Sequence, residues 1–320
     1  MKPLRIDSLL QLPADGVTVQ TEWTTHGANP VRALLLEIAF FAGTVGPGLY
    51  MFSAALRYNA GMLLGLFVVI FGYALPHALY LGRMERSWRA ILRPGASWIS
   101  RGFIFASAFM ILAMLSVAHY IPALRSGPLN PDSAGFEYIV IGAVVSAFLL
   151  AMYPGFLFSV LKAIPFWHSF VLIPLFLIQA FGGGAAVTII MYVLQGDKVV
   201  DIPGLAVIDS LFVTATAGLV GLQLLVGIKS GPTGRISVMI LMQGAYRKLF
   251  VLGAIVIGLI APMVLFAAVG LLGVPVALAV PAALMQLAGI LLFKYCILNA
   301  GAYRQLFTED LIAQNDSTPD

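Results

Sequence analysis

The stretch LFVLGAIVIGLIAPMVLFAAVGLLGVPVALAVPAALMQLAGILLF, residues 249–293, runs for 45 positions without a charged or histidine side chain. As a single helix it would be about 68 Å long at ~1.5 Å per residue, roughly twice the ~30 Å hydrocarbon core of a bilayer. Gly273-Val274-Pro275 lies near its middle, and glycine followed by proline supplies a turn. The run therefore reads as two membrane helices, 249–272 and 275–297, folded back on each other. Working outward, six more apolar segments are long enough to cross a bilayer: 32–56, 61–82, 102–122, 137–161, 170–194 and 205–228. The expected fold is all-α and integral to the membrane, with eight transmembrane helices arranged as two four-helix bundles. Residues 1–31 form a polar N-terminal segment, 32–298 the eight-helix membrane domain and 299–320 a C-terminal tail.

Composition agrees. Hydrophobic residues make up 60% of the 320, and charged residues only 10%, against roughly 25% charged in a soluble domain. A mean hydropathy of +0.97 is more than one soluble core can hide, so the apolar surplus faces lipid. The first 30 residues contain Asp7, Asp15 and Glu22 and no apolar run beside a cleavage site. A cleavable secretory signal is therefore not expected, and the first span would target the chain.

The net charge of +4 and the pI of 9.2 come from short loops beside the spans, which is a topology signal rather than a nucleic-acid one. With an even number of spans both termini share one side, here called side A. Fifteen basic residues belong to it: Lys2, Arg5, Arg32, Arg83, Arg86, Arg89, Arg93, Arg101, Lys162, Lys229, Arg235, Arg247, Lys248, Lys294 and Arg304. Side B has Arg57, Arg125 and Lys198. The positive-inside rule then makes side A cytoplasmic and the host membrane the inner (cytoplasmic) membrane. Trp23, Trp88, Trp98 and Trp167 all fall on side A too, whereas an interfacial belt uses both faces.

The single cysteine, Cys296, excludes a disulfide within the chain and an iron–sulfur cluster, which needs about four thiolates. A bis-histidine haem needs two imidazoles at one depth. His77 lies near side A and His119 near side B, while His26 and His168 fall outside the spans. No haem is expected.

Small residues cluster in span one (Gly43, Gly46, Gly48) and span five (Gly182, Gly183, Gly184, Ala185, Ala186), where they let helix backbones approach closely. Ala39-Phe40-Phe41-Ala42-Gly43 and Ala180-Phe181-Gly182-Gly183-Gly184 suggest a repeat relating spans one to four to spans five to eight. Pro47, Pro76 and Pro154 are expected to kink their helices.

Ionisable groups inside a bilayer are costly and point to function. Glu37 lies about 9 Å below side A and Tyr153 about 12 Å below it, at ~1.5 Å per residue; His77 is five residues from the side A end of span two. A carboxylate, an imidazole and a phenol thus reach similar depth from three helices. They could equally satisfy one another or backbone carbonyls. Beside them, residues 81–102 carry Arg83, Arg86, Trp88, Arg93, Trp98 and Arg101, and arginine and tryptophan are frequent interface anchors.

At these residues the chain resembles the NrfD-like, or polysulfide reductase membrane subunit (PsrC-like), family. Members show L-G-R-P-E-R-F/W followed by S-W-x-S-x-G. Leu81 to Arg86 match except for Met84 in place of proline, and Ser97 to Gly102 match fully. A second block fits at Tyr153, Gly155, Leu157, Ser159, Pro165, Trp167, Pro174, Phe176 and Gly182 to Ala186. His168 stands where asparagine is usual and Gln179 where a small polar residue is common, departures that bear on subfamily and substrate. The resemblance covers spans one to five well and the last three mainly by hydropathy.

The resemblance implies a quinone/quinol-reactive membrane anchor of an iron–sulfur/molybdopterin oxidoreductase of the polysulfide, thiosulfate or DMSO reductase type. Menaquinone or ubiquinone would be its diffusible substrate. Its partners would be a four-cluster ferredoxin-like subunit and a molybdopterin catalytic subunit. Glu37, His77 and Tyr153 are the expected quinol-binding residues. Arg83, Arg86, Trp88, Arg93, Trp98, Arg101 and Trp167 are the expected docking residues. Repeats and Gly- or Pro-interrupted helices also suit a secondary transporter, the alternative from another class, but transporter sites usually lie at the midplane.

The topology is testable with reporter fusions. A fusion after Asp320 should report a cytoplasmic location and one in the loop at Asp201 a periplasmic one. Periplasmic activity at Asp320 would invert the orientation and leave the basic loops as a docking feature alone.

Overall fold

A computed structural model describes residues 30–81, 89, 92–196 and 200–302. Eight helices are long and apolar enough to span a membrane, and the described residues contain no strand. They are α1 (Pro30–Ala55), α2 (Asn59–Tyr80), α3 (Trp98–Tyr120), α4 (Ala134–Ser159), α5 (Leu172–Gln195), α6 (Ile202–Lys229), α7 (Lys248–Leu271) and α8 (Val276–Asn299). A short helix, Pro232–Met242, joins α6 to α7 on side A. The protein is thus a multi-pass membrane protein. Large apolar side chains left exposed on its outer helices, among them Phe71, Ile111, Leu211, Leu225, Leu252 and Val264, suit contact with lipid tails.

Local chemistry sets several helix starts. Ser97 caps α3 by accepting from the Ser100 N–H at 3.4 Å, so α3 begins four residues earlier than hydropathy suggests. The turn 98–101 is helical although it carries Ser100 and Arg101, because a capped first turn tolerates polar residues. Ser133 caps α4 at 3.2 Å and Asp201 caps α6 at 3.0 Å in the same way. Gly273 adopts φ +67°, the left-handed conformation that ends α7 before Pro275 starts the next turn.

Two helices contain π-type stretches, Val68–Ala74 in α2 and Lys248–Ile260 in α7. Each ends within two residues of a proline, Pro76 or Pro262. A proline ring clashes with the carbonyl four residues back in a regular helix; a wider turn just before it relieves that contact.

The neighbours of the helices repeat with a period of four. α1 packs on α2 and α4, α3 on α2 and α4; α5 packs on α6 and α8, α7 on α6 and α8. The two sets meet where α1 crosses α5, flanked by α4 on α5 and α1 on α8. α1 and α5 are the two central helices, with 72% and 67% of their apolar windows buried against 28–44% in the other six. Their crossing is backbone on backbone: a Cβ placed on Gly48 would sit 1.8 Å from the Ala180 carbonyl oxygen, and one on Gly184 would sit 2.3 Å from the Gly48 carbonyl carbon.

On side A, the indole N–H of Trp167 donates to the Ile297 carbonyl at 2.9 Å. The Gln223 amide donates to the Phe166 carbonyl at 2.6 Å, and the Ala302 N–H to Ser237 Oγ at 3.0 Å. These bonds tie the 160–171 connection, α6, the short helix and the end of α8 together.

Gly48→Ala should be among the most damaging single-methyl additions, because two backbones must separate to admit it; overpacking of this kind costs about 1–3 kcal/mol or more. Gly218→Ala is the control, since a Cβ there meets nothing within 4 Å. Thermal unfolding of the purified variants in detergent should show a loss for Gly48→Ala and none for Gly218→Ala.

Candidate functional site

Phe40 of α1 stands at the centre of the side A polar groups. Its ring lies 6.2 Å from that of His77 and stacks on Phe158 of α4 at 5.4 Å, nearly parallel at 9°. Phe158 in turn packs on Trp167 at 4.8 Å. Polar side chains gather on either flank of this aromatic column.

On one flank is Glu37, one helical turn before Phe40 and 6% exposed. Its Oε1 accepts from the Asn299 amide of α8 at 3.0 Å, and the same amide donates to the Tyr295 carbonyl at 2.8 Å. A buried carboxyl is thereby held by two elements at the side A end of the bundle. Asn299 was not singled out in the sequence; only its place in the last turn of the last span marked it.

On the other flank are His77, Tyr73 and Tyr153. Proline two residues after the π-type stretch places His77 beside its own preceding turn: Nδ1 meets the Tyr73 carbonyl at 3.2 Å, and the two rings lie 4.5 Å apart. A carbonyl only accepts, so Nδ1 carries the proton and a neutral imidazole keeps Nε2 as an acceptor. Tyr73 packs into the space left by Gly43, where a Cβ would be 2.5 Å from its ring. Tyr153 of α4 is buried at 6% exposure and lies against Gly102 of α3, where a Cβ would be 2.4 Å from the ring. The spacing of four between Tyr73 and His77 was a readable signal of a shared helix face.

Of the expected quinol residues, His77 lies against Tyr73 and Phe40, Tyr153 against Gly102 of α3, and Glu37, one turn from Phe40, is bonded to Asn299. Among the described residues no three His, Cys, Asp or Glu side chains come together as metal ligands.

The expected docking residues divide differently. Arg83, Arg86 and Trp88 lie outside the described residues. Arg93 is exposed. Trp98 stacks on Phe156 at 4.5 Å and 4°. Arg101 folds the loop: its guanidinium donates to the Pro94 and Gly95 carbonyls at 2.8 and 3.0 Å and lies 4.3 Å over the Trp98 ring. Trp167 corrects the expectation, since it is fully buried and its indole N–H is used inside the protein. The Pro165–Trp167 turn looks like a surface anchor in sequence because it interrupts the apolar pattern, but the closing of side A over it puts the ring in the core. Lys294, counted with the side A charges, is a second correction: it lies within α8 and is 1% exposed.

The profile of the family described as "Polysulphide reductase, NrfD" matches residues 38–305. The chain is also similar to "Protein NrfD" of Escherichia coli (strain K12), with 27% identity over 262 residues covering 75% of this chain and 79% of that protein. The matched segment takes in all the described groups just placed around Phe40 except Glu37, which lies one residue before it. By this match across most of its length, the chain belongs to the polysulphide reductase NrfD family of membrane proteins.

Proposed function

We propose that this chain is the quinone-reactive membrane subunit of an oxidoreductase complex. It exchanges two electrons and two protons between a membrane quinol and the nearest cluster of an iron–sulfur subunit docked on side A, which is itself joined to a molybdopterin catalytic subunit. The observation that carries this reading is the placing of His77 against Phe40 and Tyr73, with the Glu37–Asn299 pair one turn from Phe40, close to the end of the bundle where the Arg93–Arg101 loop folds. Membership of the NrfD family supports the coarser statement, a membrane subunit of a redox complex.

The chemistry follows from the side chains. Oxidation of a quinol yields quinone, two protons and two electrons. The quinol head has two hydroxyls and needs a hydrogen-bond partner for each. His77 Nε2 can accept one hydroxyl proton, and the Tyr153 hydroxyl can give or take a bond at the other. Phe40 supplies an apolar face for the ring. Glu37 can take the released proton toward side A, where the Asn299 amide steadies the carboxylate by donating to it. The same groups serve quinone reduction in reverse. Electrons leave through the partner.

Tyr153→Phe keeps the ring on Gly102 and removes one hydrogen bond, a loss of about 1–3 kcal/mol or roughly 5- to 150-fold in quinol affinity or turnover. His77→Ala should cost more. Glu37→Gln retains an acceptor for Asn299 and should slow proton release with less effect on binding. The measurement is quinol-dependent electron transfer in membranes, beside a quinone-independent dye assay of the catalytic partner. Wild-type quinol rates in all three assembled variants would place the site elsewhere.

Docking on side A is tested separately. A photo-crosslinker at the exposed Arg93 should capture an iron–sulfur partner, while one at Leu194, 75% exposed at the opposite end of α5, should not. Capture from Leu194 alone would reverse the docking face.

A further inference from the structure

The outer face of α6 carries a stripe of residues that the quinol reading does not use. Lys229 closes α6 at the side A surface. Leu225, Leu222 and Gly218 follow below it at steps of four, three and four residues, which keeps them on one helix face. All four are exposed, Leu225 and Leu222 at 55% and 45%, and a Cβ on Gly218 would meet nothing within 4 Å. At ~1.5 Å per residue the stripe reaches about 16 Å below the surface, half of a ~30 Å hydrocarbon core and so the depth of one leaflet.

A second cation stands at the head of this stripe. Gly231, at φ +101°, turns the chain back at the end of α6 in a conformation suited to glycine. The short helix Pro232–Met242 then starts close over α6: a Cβ on Gly234 would lie 2.5 Å from the Gly227 carbonyl oxygen. Arg235 of that helix donates from Nε to the Ile228 carbonyl at 3.1 Å, which sets its guanidinium beside Lys229 on the last turn of α6. Both basic side chains are exposed. Among the described residues the one acidic side chain on side A is Glu37, which is buried, so no described carboxylate neutralises them. α7 starts nearby with the exposed Arg247 and Lys248 and continues through the exposed Leu252 and Val256. α6 packs along the Ala261–Leu271 half of α7 and much less on its Lys248–Ile260 half, so the two helices part toward side A.

We propose that this surface binds one anionic phospholipid of the side A leaflet. Its phosphate sits between Lys229 and Arg235, and one acyl chain lies along Leu225, Leu222 and Gly218. Charge complementarity carries the assignment. Two unneutralised cations at headgroup level favour a net negative lipid, whereas a zwitterionic head would bring a cation of its own against them. The guanidinium offers parallel donors that match phosphate oxygens, and the lysine stem lies along the apolar face while its amine reaches the headgroup. The apolar stripe at tail depth, directly below the cations, is a surface that a soluble anion would leave bare. Ser237 of the short helix accepts from the Ala302 N–H at 3.0 Å, so a lipid bridging α6 and the short helix also braces the chain just beyond Asn299.

The test is native mass spectrometry of the purified complex, titrated with palmitoyl-oleoyl phosphatidylglycerol and separately with phosphatidylcholine of the same chains. The wild type should bind the first phosphatidylglycerol about thirtyfold more tightly than phosphatidylcholine, roughly fivefold for each of the two cations. Lys229→Gln should lower that preference about fivefold. Lys229→Gln with Arg235→Gln should abolish it, and Arg125→Gln, at an exposed position on side B, should leave it unchanged. Glycerol 3-phosphate, which has the phosphate without the tails, should not displace the bound lipid. Equal binding of the two lipids by the wild type, a preference that survives the double substitution, or an equal loss in Arg125→Gln overturns the proposal. Displacement by glycerol 3-phosphate overturns it too, since the site would then hold a phosphate and not a lipid.

Discussion

The contact of Gly48 with Ala180 and Gly184 sets the geometry of the whole bundle. Lipid tails solvate apolar side chains as well as other helices do, so helices in a bilayer associate through packing and polar contacts rather than by escaping water. A Cβ at Gly48 would lie 1.8 Å from the Ala180 carbonyl oxygen, which leaves no room for a side chain at that point of the α1–α5 crossing. That crossing makes α1 and α5 the axis of the protein, and every polar group with a candidate role is displaced to its flanks. The Glu37–Asn299 pair lies where α1 meets α8; His77, Tyr73 and Tyr153 lie where α1 meets α2 and α4.

Much of this arrangement was legible in the sequence because bilayer thickness is a severe constraint. A segment of twenty apolar residues has few other uses, and the glycine clusters of spans one and five marked the close contact. Helix ends were less legible. α3 begins at Trp98 because the Ser97 hydroxyl caps it, a local bond that hydropathy does not register. The rotation of a helix about its axis was least legible. In a span buried on one side and lipid-facing on the other, nearly all positions are apolar, so no periodic pattern tells which face looks inward. Lys294 shows the consequence: a lysine near the end of a span reads as a loop charge, yet its position on α8 turns it onto Phe176.

The same limit explains how the candidate site was seen in part. Glu37, His77 and Tyr153 stood out as polar residues among apolar ones and lie in the side A half. Tyr73 and Asn299 complete the arrangement with weaker signals: Tyr73 is marked only by its spacing of four from His77, and Asn299 lies where a helix is ending. Trp167 misled for a related reason. Composition places a tryptophan at the interface, but the bond to the Ile297 carbonyl and the packing of Phe158 against its ring draw this one inward, where it backs the Phe158 ring that stacks on Phe40.

α8 is the element through which two buried polar pairs, Asp209–Gln286 and Glu37–Asn299, can influence each other. Gln286, Lys294 and Asn299 lie along one helix; the first holds Asp209 of α6 and the last holds Glu37 of α1. α7 packs along the same helix, and Gly258 and Gly289 meet so closely there that a Cβ on either would lie 2.2 Å from the other's Cα. A helix held at its middle by a backbone contact and by the neighbouring Gln286, and at its side A end by Asn299, has little freedom to slide. A change of charge at Glu37 or at Asp209 therefore acts on a rigid connection.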